Sequence, residues 1–152
     1  MTEPIDLPDE AAVAALARRL APAVRAGGVI HLEGELGAGK TTFARALLRA
    51  LGVGERVKSP TYSLIESYEL PGLGVQHLDL YRIADPAELE WLGLSDLANG
   101  PQLMLVEWPE RGRGVLPPAD LRLRLDYAGT GRRLQPQALS SRGEGWVRTL
   151  QD

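Results

Sequence analysis

Residues 34–41 read GELGAGKT and match the pattern G-x-x-x-x-G-K-[ST]. In this pattern, glycines let successive backbone N–H groups turn inward around phosphate oxygens, and the following helix directs its positive dipole end at the same anions. Lys40 is expected to reach the β- and γ-phosphates of a nucleotide, and the Thr41 hydroxyl to coordinate Mg²⁺. The sequence therefore predicts a nucleotide-binding loop, with contacts from Glu35, Leu36, Gly37, Ala38, Gly39, Lys40, Thr41 and Thr42.

Two acidic residues at predicted strand ends are candidates for the metal site. Glu107 follows the apolar run 103–106, which suits a strand buried on both faces, and Asp79 ends the more polar run 75–78. Both could serve, one binding the metal directly and one through water; the alternative for each is an ordinary surface acid. Two carboxylates would repel a triphosphate without a cation, so this pattern indicates Mg²⁺ dependence.

Other residues near these positions leave alternatives open. Residues 59–62 (SPTY) follow the phosphate-loop helix, and Thr61 could position the attacking water or contact the γ-phosphate. A proline turn entering a strand explains the same residues equally well. His31 and His77 are expected to be strand residues without catalytic duty. Trp108 fits aromatic packing, or a nucleotide or partner contact.

Two arginines close to the acidic strands are further candidates. Arg82 and Arg111 flank the strands that end in acids, and either could reach phosphate or tRNA. Spacing alone does not choose between these ligands.

The elements that must position these residues follow from periodicity and from glycine and proline. Helices are predicted over 9–26, over 40–51 and from Asp85 through Leu92. Pro22 is expected to kink the first helix or end it early, and Gly52 is the C-terminal glycine of the second. Strands are predicted over 29–33, 62–70, 75–81, 103–106, 121–127 and 133–139. The second and third are expected to form a hairpin or to be neighbouring strands, and the last two to form a terminal hairpin. The order indicates an α/β fold.

Composition and charge restrict the class of protein. The chain has 152 residues, 44% of them hydrophobic, and no cysteine, which predicts one folded domain over residues 1–152 and excludes disulfides and thiolate zinc sites. The longest apolar run, residues 11–17, is far short of the roughly 20 needed to span a membrane. The first residues are acidic, unlike a signal peptide. We expect a soluble, cytoplasmic protein.

The net charge is −3, but the charges are unevenly distributed. Between residues 111 and 148, eight arginines face three acids, a local excess of +5. This basic C-terminal β segment, residues 111–150, is interpreted as part of the same domain. It is either a solvated, arginine-rich β surface or a face for RNA or an acidic partner protein.

The combination of motifs resembles the TsaE family of bacterial ATPases in tRNA threonylcarbamoyladenosine biosynthesis. The resemblance is carried by residues 34–41 and 59–63, by 77–82 (HLDLYR) and by 105–110 (LVEWPE), in this order and in a short chain. Residues 85–89 and 92–94 also resemble the family. The match runs from about residue 10 to about residue 128.

The resemblance implies a P-loop NTPase-like three-layer fold with a mixed, mostly parallel central sheet. It assigns Lys40 and Thr41 to phosphate and Mg²⁺, Glu107 to the metal site, Asp79 as a second essential acid and Thr61 to a switch-like loop. Tyr81, Arg82 and Trp108 are motif residues. It also implies slow ATP hydrolysis that supports the TsaD–TsaB heterodimer, the complex that transfers threonylcarbamoyl to the adenosine beside the tRNA anticodon.

Two other functions fit a phosphate loop. A small-metabolite or nucleotide kinase would need an acceptor site and an arginine-bearing lid, for which residues 68–101 leave limited room. A nucleotide-gated adaptor would bind ATP to order a docking surface without essential hydrolysis, and the sequence has no dedicated catalytic base. A GTPase is disfavoured because no N-K-x-D motif occurs.

Overall fold

The computed structural model describes residues 3–54, 57, 64–92 and 101–151. Its helices are α1 (Glu10–Val24), α2 (Lys40–Leu51) and α3 (Ser141–Gln151). Its strands are β1 (Ile5–Leu7), β2 (Gly28–Gly34), β3 (Ile65–Leu70), β4 (Leu73–Asp79), β5 (Gln102–Glu107), β6 (Leu121–Ala128) and β7 (Gly131–Ala138). Two 3₁₀ helices cover Pro86–Leu92 and Pro109–Gly112.

The seven strands form one mixed sheet in the order β1-β7-β6-β2-β5-β4-β3. The central strands β6, β2, β5 and β4 are parallel, whereas the pairings of β3 with β4, β6 with β7 and β1 with β7 are antiparallel. This arrangement confirms the α/β fold with a mixed sheet. The carboxyl ends of β2, β4, β5 and β6 lie at one edge, which is where ligands bind in parallel α/β sheets.

Apolar side chains cover both faces of the sheet. Leu103 and Leu105 of β5 join the larger core beneath the three α-helices, while Met104 and Val106 point to a smaller core with Leu89 of the first 3₁₀ helix. The alternation follows from the two-residue period of a strand. Glu107 thus lies at the end of a strand that is buried on both faces.

Helix α1 and the C-terminal segment differ from the sequence-based predictions. Pro22 does not end α1, which continues to Val24, because a proline in the last turn removes only one backbone hydrogen bond. Residues 111–150 are not all β structure, since β7 is followed by α3. The buried apolar side of α3 consists of Trp146, Val147 and Leu150.

Helix α3 was not predicted from the sequence, because it contains glycine, which is a poor helix former. In the structure, a side chain at Gly143 would collide with the backbone of Asp120, so only glycine allows this close approach. Ser140 begins the helix by accepting a hydrogen bond from the Gly143 N–H, at 3.0 Å. The short edge strand β1 also escaped prediction, because three residues carry too little periodicity.

His31 lies on β2, and its Nε2 is buried without a hydrogen-bond partner among the described residues. Burial, and secondarily the Arg122 guanidinium, lowers the pKa of His31 from 6.5 to about 4. Between these two pH values the unfolded chain binds a proton at this residue and the folded chain does not. The free energy of unfolding therefore falls as the pH decreases through this window, and His31 has no such effect above it.

We expect His31→Gln to lose less stability on acidification than the wild type. The difference between the two proteins should be about 1–2 kcal/mol on going from about pH 7 to about pH 4.5, allowing for partial solvent screening of the ring. Urea unfolding of both proteins at both pH values measures it. Equal losses would show that the His31 pKa is not lowered by folding.

Candidate phosphate-binding site

The loop between β2 and α2 has the backbone shape that its glycines allow. Gly37 and Gly39 have φ angles of 81° and 108°, in the region that favours glycine. A Cβ at Gly37 would also lie 2.6 Å from the Tyr127 hydroxyl. Gly39 precedes α2 without a side-chain cap, so the first N–H groups of the helix have no partner within the helix. These amides and the helix dipole suit an anion.

Lys40 holds a buried positive charge at this loop. Its side chain is 4% exposed, and Nζ donates to the carbonyl oxygens of Gly34 and Glu35 at 2.6 and 2.9 Å. Burial lowers the pKa of Lys40, while the carboxylates of Glu107, Glu110 and Asp79 oppose that shift. The ammonium thus lies next to the loop amides, where it can meet phosphate oxygens.

Thr41 and Glu107 come together across the sheet edge, as the sequence predicted for two ligands of one metal. The Thr41 hydroxyl donates to Glu107 Oε1 at 2.6 Å, and the Glu107 side chain is 2% exposed. One hydroxyl and one carboxylate are hard oxygen ligands. They fit Mg²⁺, which binds few protein groups and takes its other ligands from phosphates and water.

Among the described residues, no group of three or more histidine, cysteine or acidic side chains could hold a metal ion.

His77 is the residue whose place the sequence did not indicate. Its side chain is fully buried on β4, and Nε2 lies 2.6 Å from Glu107 Oε2. Both carboxylate oxygens of Glu107 are thus engaged, one by Thr41 and one by His77. The sequence signals were the place of His77 in the motif block 77–82 and its proximity to Asp79, two residues away on one face of the strand.

Asp79 lies beside Glu107, because the parallel register places these two residues opposite each other. Asp79 Oδ1 accepts a hydrogen bond from the Tyr81 N–H at 3.0 Å. Burial raises the pKa of Asp79, and the nearby Glu107 carboxylate adds to the effect. The predicted pair of acids is therefore brought together at the phosphate loop.

Two aromatic rings and a guanidinium form a cluster next to Lys40. The Trp108 ring centroid is 4.1 Å from Lys40 Nζ and 5.0 Å from the Tyr81 ring. The Arg111 guanidinium lies 5.4 Å from Tyr81 and 5.9 Å from Trp108. Trp108 has φ 58°, a strained value for a non-glycine residue next to Glu107. Arg82 is exposed.

The hairpin of β6 and β7 contributes two residues that the sequence did not single out. The Tyr127 hydroxyl donates to the Leu36 carbonyl at 2.9 Å, and Arg132 Nη2 donates to the Gly37 carbonyl at 3.2 Å. Arg132 also lies 4.4 Å from the Tyr127 ring. A cavity of about 250 Å³ adjoins them and the loop, lined in part by Val13, Gly39, Thr42, Phe43 and Leu125.

Thr61 lies outside the described residues, so its predicted contact with the γ-phosphate stays a prediction. The predicted phosphate-loop residues, Glu35 to Thr42, all lie in the described loop and at the start of α2. Leu36 is 65% exposed, and Ala38 is fully buried.

Four of the eight arginines of the C-terminal segment lie within 4.0 Å of an acid of the same chain. Arg122 meets Glu33 at 2.8 Å, Arg133 meets Asp6 at 3.0 Å and Arg124 meets Asp126 at 3.3 Å. Glu33 and Asp6 lie outside residues 111–148 and offset part of the +5 excess, whereas Asp126 is already counted in it. Both interpretations of the segment, a solvated β surface and a face for RNA or an acidic partner, stay predictions. In the described part of the chain, no helix is long and apolar enough to cross a membrane.

Comparison with known proteins gives consistent matches. Residues 7–134 match the family model described as TsaE, threonylcarbamoyl adenosine biosynthesis protein TsaE. The chain is 43% identical over 119 residues to a protein from Haemophilus influenzae named tRNA threonylcarbamoyladenosine biosynthesis protein TsaE; 78% of this chain and 75% of that protein are covered. The protein of the same name from Streptomyces coelicolor is 39% identical over 137 residues, covering 87% and 92%.

A solved structure is also similar. The crystal structure of YdiB from Bacillus subtilis superposes with a TM-score of 0.78 and 28% sequence identity, covering 99% of this chain and 96% of that one. The similarity thus extends over α3, beyond the segment that the family model matches.

Proposed function

We propose, from the premise that this chain belongs to the TsaE family of threonylcarbamoyl adenosine biosynthesis proteins, that its phosphate loop binds and slowly hydrolyses ATP. The chain has a role in the biosynthesis of tRNA threonylcarbamoyladenosine, as its family membership implies. The observation that supports the ATPase most directly is the buried Lys40 ammonium beside Thr41 and Glu107.

The phosphates of ATP would occupy the concave side of residues 35–42. The loop amides and the start of α2 supply hydrogen-bond donors, and Lys40 supplies a charge that binds the β- and γ-phosphates. On binding, Lys40 Nζ would exchange its contacts with the Gly34 and Glu35 carbonyls for phosphate oxygens. We place the nucleoside in the adjoining cavity, because Phe43 and Leu125 give that cavity apolar walls.

Thr41 and Glu107 would hold Mg²⁺. The metal, when bound, offsets the charge that develops on the β- and γ-phosphates during hydrolysis. Asp79 lies next to Glu107 with its pKa raised by burial, so it is suited to orient water or accept its proton. Thr61 is proposed to complete this site from its loop.

The protein would act as an accessory ATPase and not as the transferase. We propose that it binds the TsaD–TsaB heterodimer in the cytoplasm and that its hydrolysis supports repeated threonylcarbamoyl transfer to the tRNA adenosine beside the anticodon. Direct contact of the basic segment with tRNA stays a prediction.

We expect weak Mg²⁺-dependent ATP hydrolysis by the protein alone and at least about fivefold stimulation by purified TsaD–TsaB, a size typical of coupling between binding sites. Phosphate release, measured with and without the pair, tests this expectation. Co-elution of the three proteins with ATP and Mg²⁺ checks the complex. A rate unchanged by saturating TsaD–TsaB would contradict the proposed partnership, and fast phosphorylation of a metabolite without partners would favour a kinase.

A further inference from the structure

We propose that His77 is a positioning residue that holds the Glu107 carboxylate against Thr41 and thereby sets the Mg²⁺ affinity of the nucleotide-loaded site. This inference rests on the proposed function, because it assigns a cause to the geometry of the proposed metal ligand. His77 itself would touch neither the metal nor the nucleotide.

The contact between the two side chains fixes the orientation of the carboxylate. His77 Nε2 lies 2.6 Å from Glu107 Oε2, and Thr41 Oγ1 lies 2.6 Å from Glu107 Oε1. Since Oε2 is an acceptor, Nε2 must carry the hydrogen and donate it. With one oxygen held by His77, the other is presented to Thr41 at the start of α2.

One hydrogen bond leaves little surplus to fix the Glu107 carboxylate in a single orientation. Glutamate loses about 1.5–2 kcal/mol of rotamer freedom when it is ordered, and a charge-assisted hydrogen bond from Thr41 contributes about 1.5–3 kcal/mol. Asp79 lies opposite Glu107 in the register and repels its charge. The second hydrogen bond, from His77, adds to the ordering, and the sheet sets the backbone position of His77 opposite Leu105.

Core packing does not explain why the residue at position 77 is a histidine. The ring is fully buried, and Nδ1 has no hydrogen-bond partner among the described residues. Burying a polar ring with an unsatisfied nitrogen costs free energy that an apolar side chain would avoid. The bond to Glu107 is the interaction that compensates for this cost, which points to the carboxylate as the reason for histidine.

The test compares glutamine and asparagine at this position. The amide nitrogen of His77→Gln can reach the place of Nε2, whereas that of His77→Asn reaches only as far as Nδ1. Binding of a fluorescent ATP analogue to the full-length protein is titrated at increasing MgCl₂ and in EDTA. We expect His77→Asn to need about tenfold more Mg²⁺ for half-maximal tightening of binding, as is typical for loss of an outer-shell partner.

His77→Gln should stay within about threefold of the wild type, and all three proteins should bind the analogue equally in EDTA, because Lys40 and the loop amides are untouched. Thermal unfolding identifies folded variants, and His77→Leu replaces His77→Asn if the latter does not fold. Unchanged Mg²⁺ dependence in a folded Asn or Leu variant, or equal loss of binding in EDTA, would overturn the positioning role.

The wild type and Glu107→Gln separate this inference from the proposed function. If the wild type does not bind the analogue, the nucleotide site is wrong. If Glu107→Gln keeps the Mg²⁺ dependence of the wild type, Glu107 is not a metal ligand, and the role of His77 is overturned with it.

Discussion

Replacing Lys40 with alanine is expected to weaken ATP binding about 100- to 1,000-fold while the protein stays folded. The ammonium would form charge-assisted hydrogen bonds to two phosphates, each contributing about 1.5–3 kcal/mol, and every 1.4 kcal/mol is a factor of ten in affinity. Because burial lowers the pKa of Lys40, removing the charge also removes an unfavourable desolvation. That gain offsets the lost bonds to Gly34 and Glu35, so we expect little change in melting temperature.

Isothermal titration calorimetry with ATP and Mg²⁺ measures this loss. Arg49→Ala is the matched control, since it removes a positive charge from the exposed side of the same helix. It should bind ATP like the wild type. An affinity for Lys40→Ala within about threefold of the wild type would remove the basis of the phosphate site.

Replacing Glu107 with glutamine is expected to slow hydrolysis about 100-fold or more while the affinity for ATP in EDTA changes little. The substitution removes the charge of the proposed metal ligand but keeps the side chain's size, so the loss falls on the transition state more than on the bound nucleotide. Steady-state phosphate release at saturating ATP and TsaD–TsaB measures the effect.

Glu110→Gln is the control for net charge, because the Glu110 carboxylate is exposed and its charge also raises the pKa of Lys40. It should hydrolyse ATP at close to the wild-type rate. If Glu107→Gln hydrolyses ATP as fast as the wild type, Glu107 has no part in the metal site.

The same variant distinguishes an ATPase from a nucleotide-gated adaptor. Multiple-turnover tRNA modification by TsaD–TsaB is followed with each variant added in excess. If hydrolysis drives turnover, Glu107→Gln should support one round and then stop. Full turnover by a variant that binds ATP and docks but does not hydrolyse it would mean that the nucleotide only orders a docking surface.

The helix and loop of the proposed phosphate site could be predicted because the sequence signals for them are local. The predicted bounds of α2 and its glycine cap at Gly52 are those of the structure, since a four-residue periodicity and two flanking glycines specify them within one segment. The hairpin of β3 and β4 and that of β6 and β7 were also predicted correctly. The resemblance to the TsaE family, drawn from motifs, is confirmed.

Contacts between distant segments could not be predicted in this way. His77 and Glu107 are 30 positions apart, and Tyr127 and Arg132 meet the phosphate loop from more than 90 positions away. These contacts depend on strand order and register, which no local pattern contains. Helix α3 was missed because Gly143 lowers local helix propensity, while its packing on Asp120 requires glycine.

The sequence by itself therefore identified the candidate residues for binding phosphate and metal, because chemistry and loop geometry are encoded in consecutive positions. Only the tertiary structure decided how the acids are oriented. Parallel pairing of β4 with β5 puts Asp79 opposite Glu107, and burial of His77 turns the Glu107 carboxylate toward Thr41. The physical reason is that a side chain's orientation depends on neighbours supplied by the packed sheet.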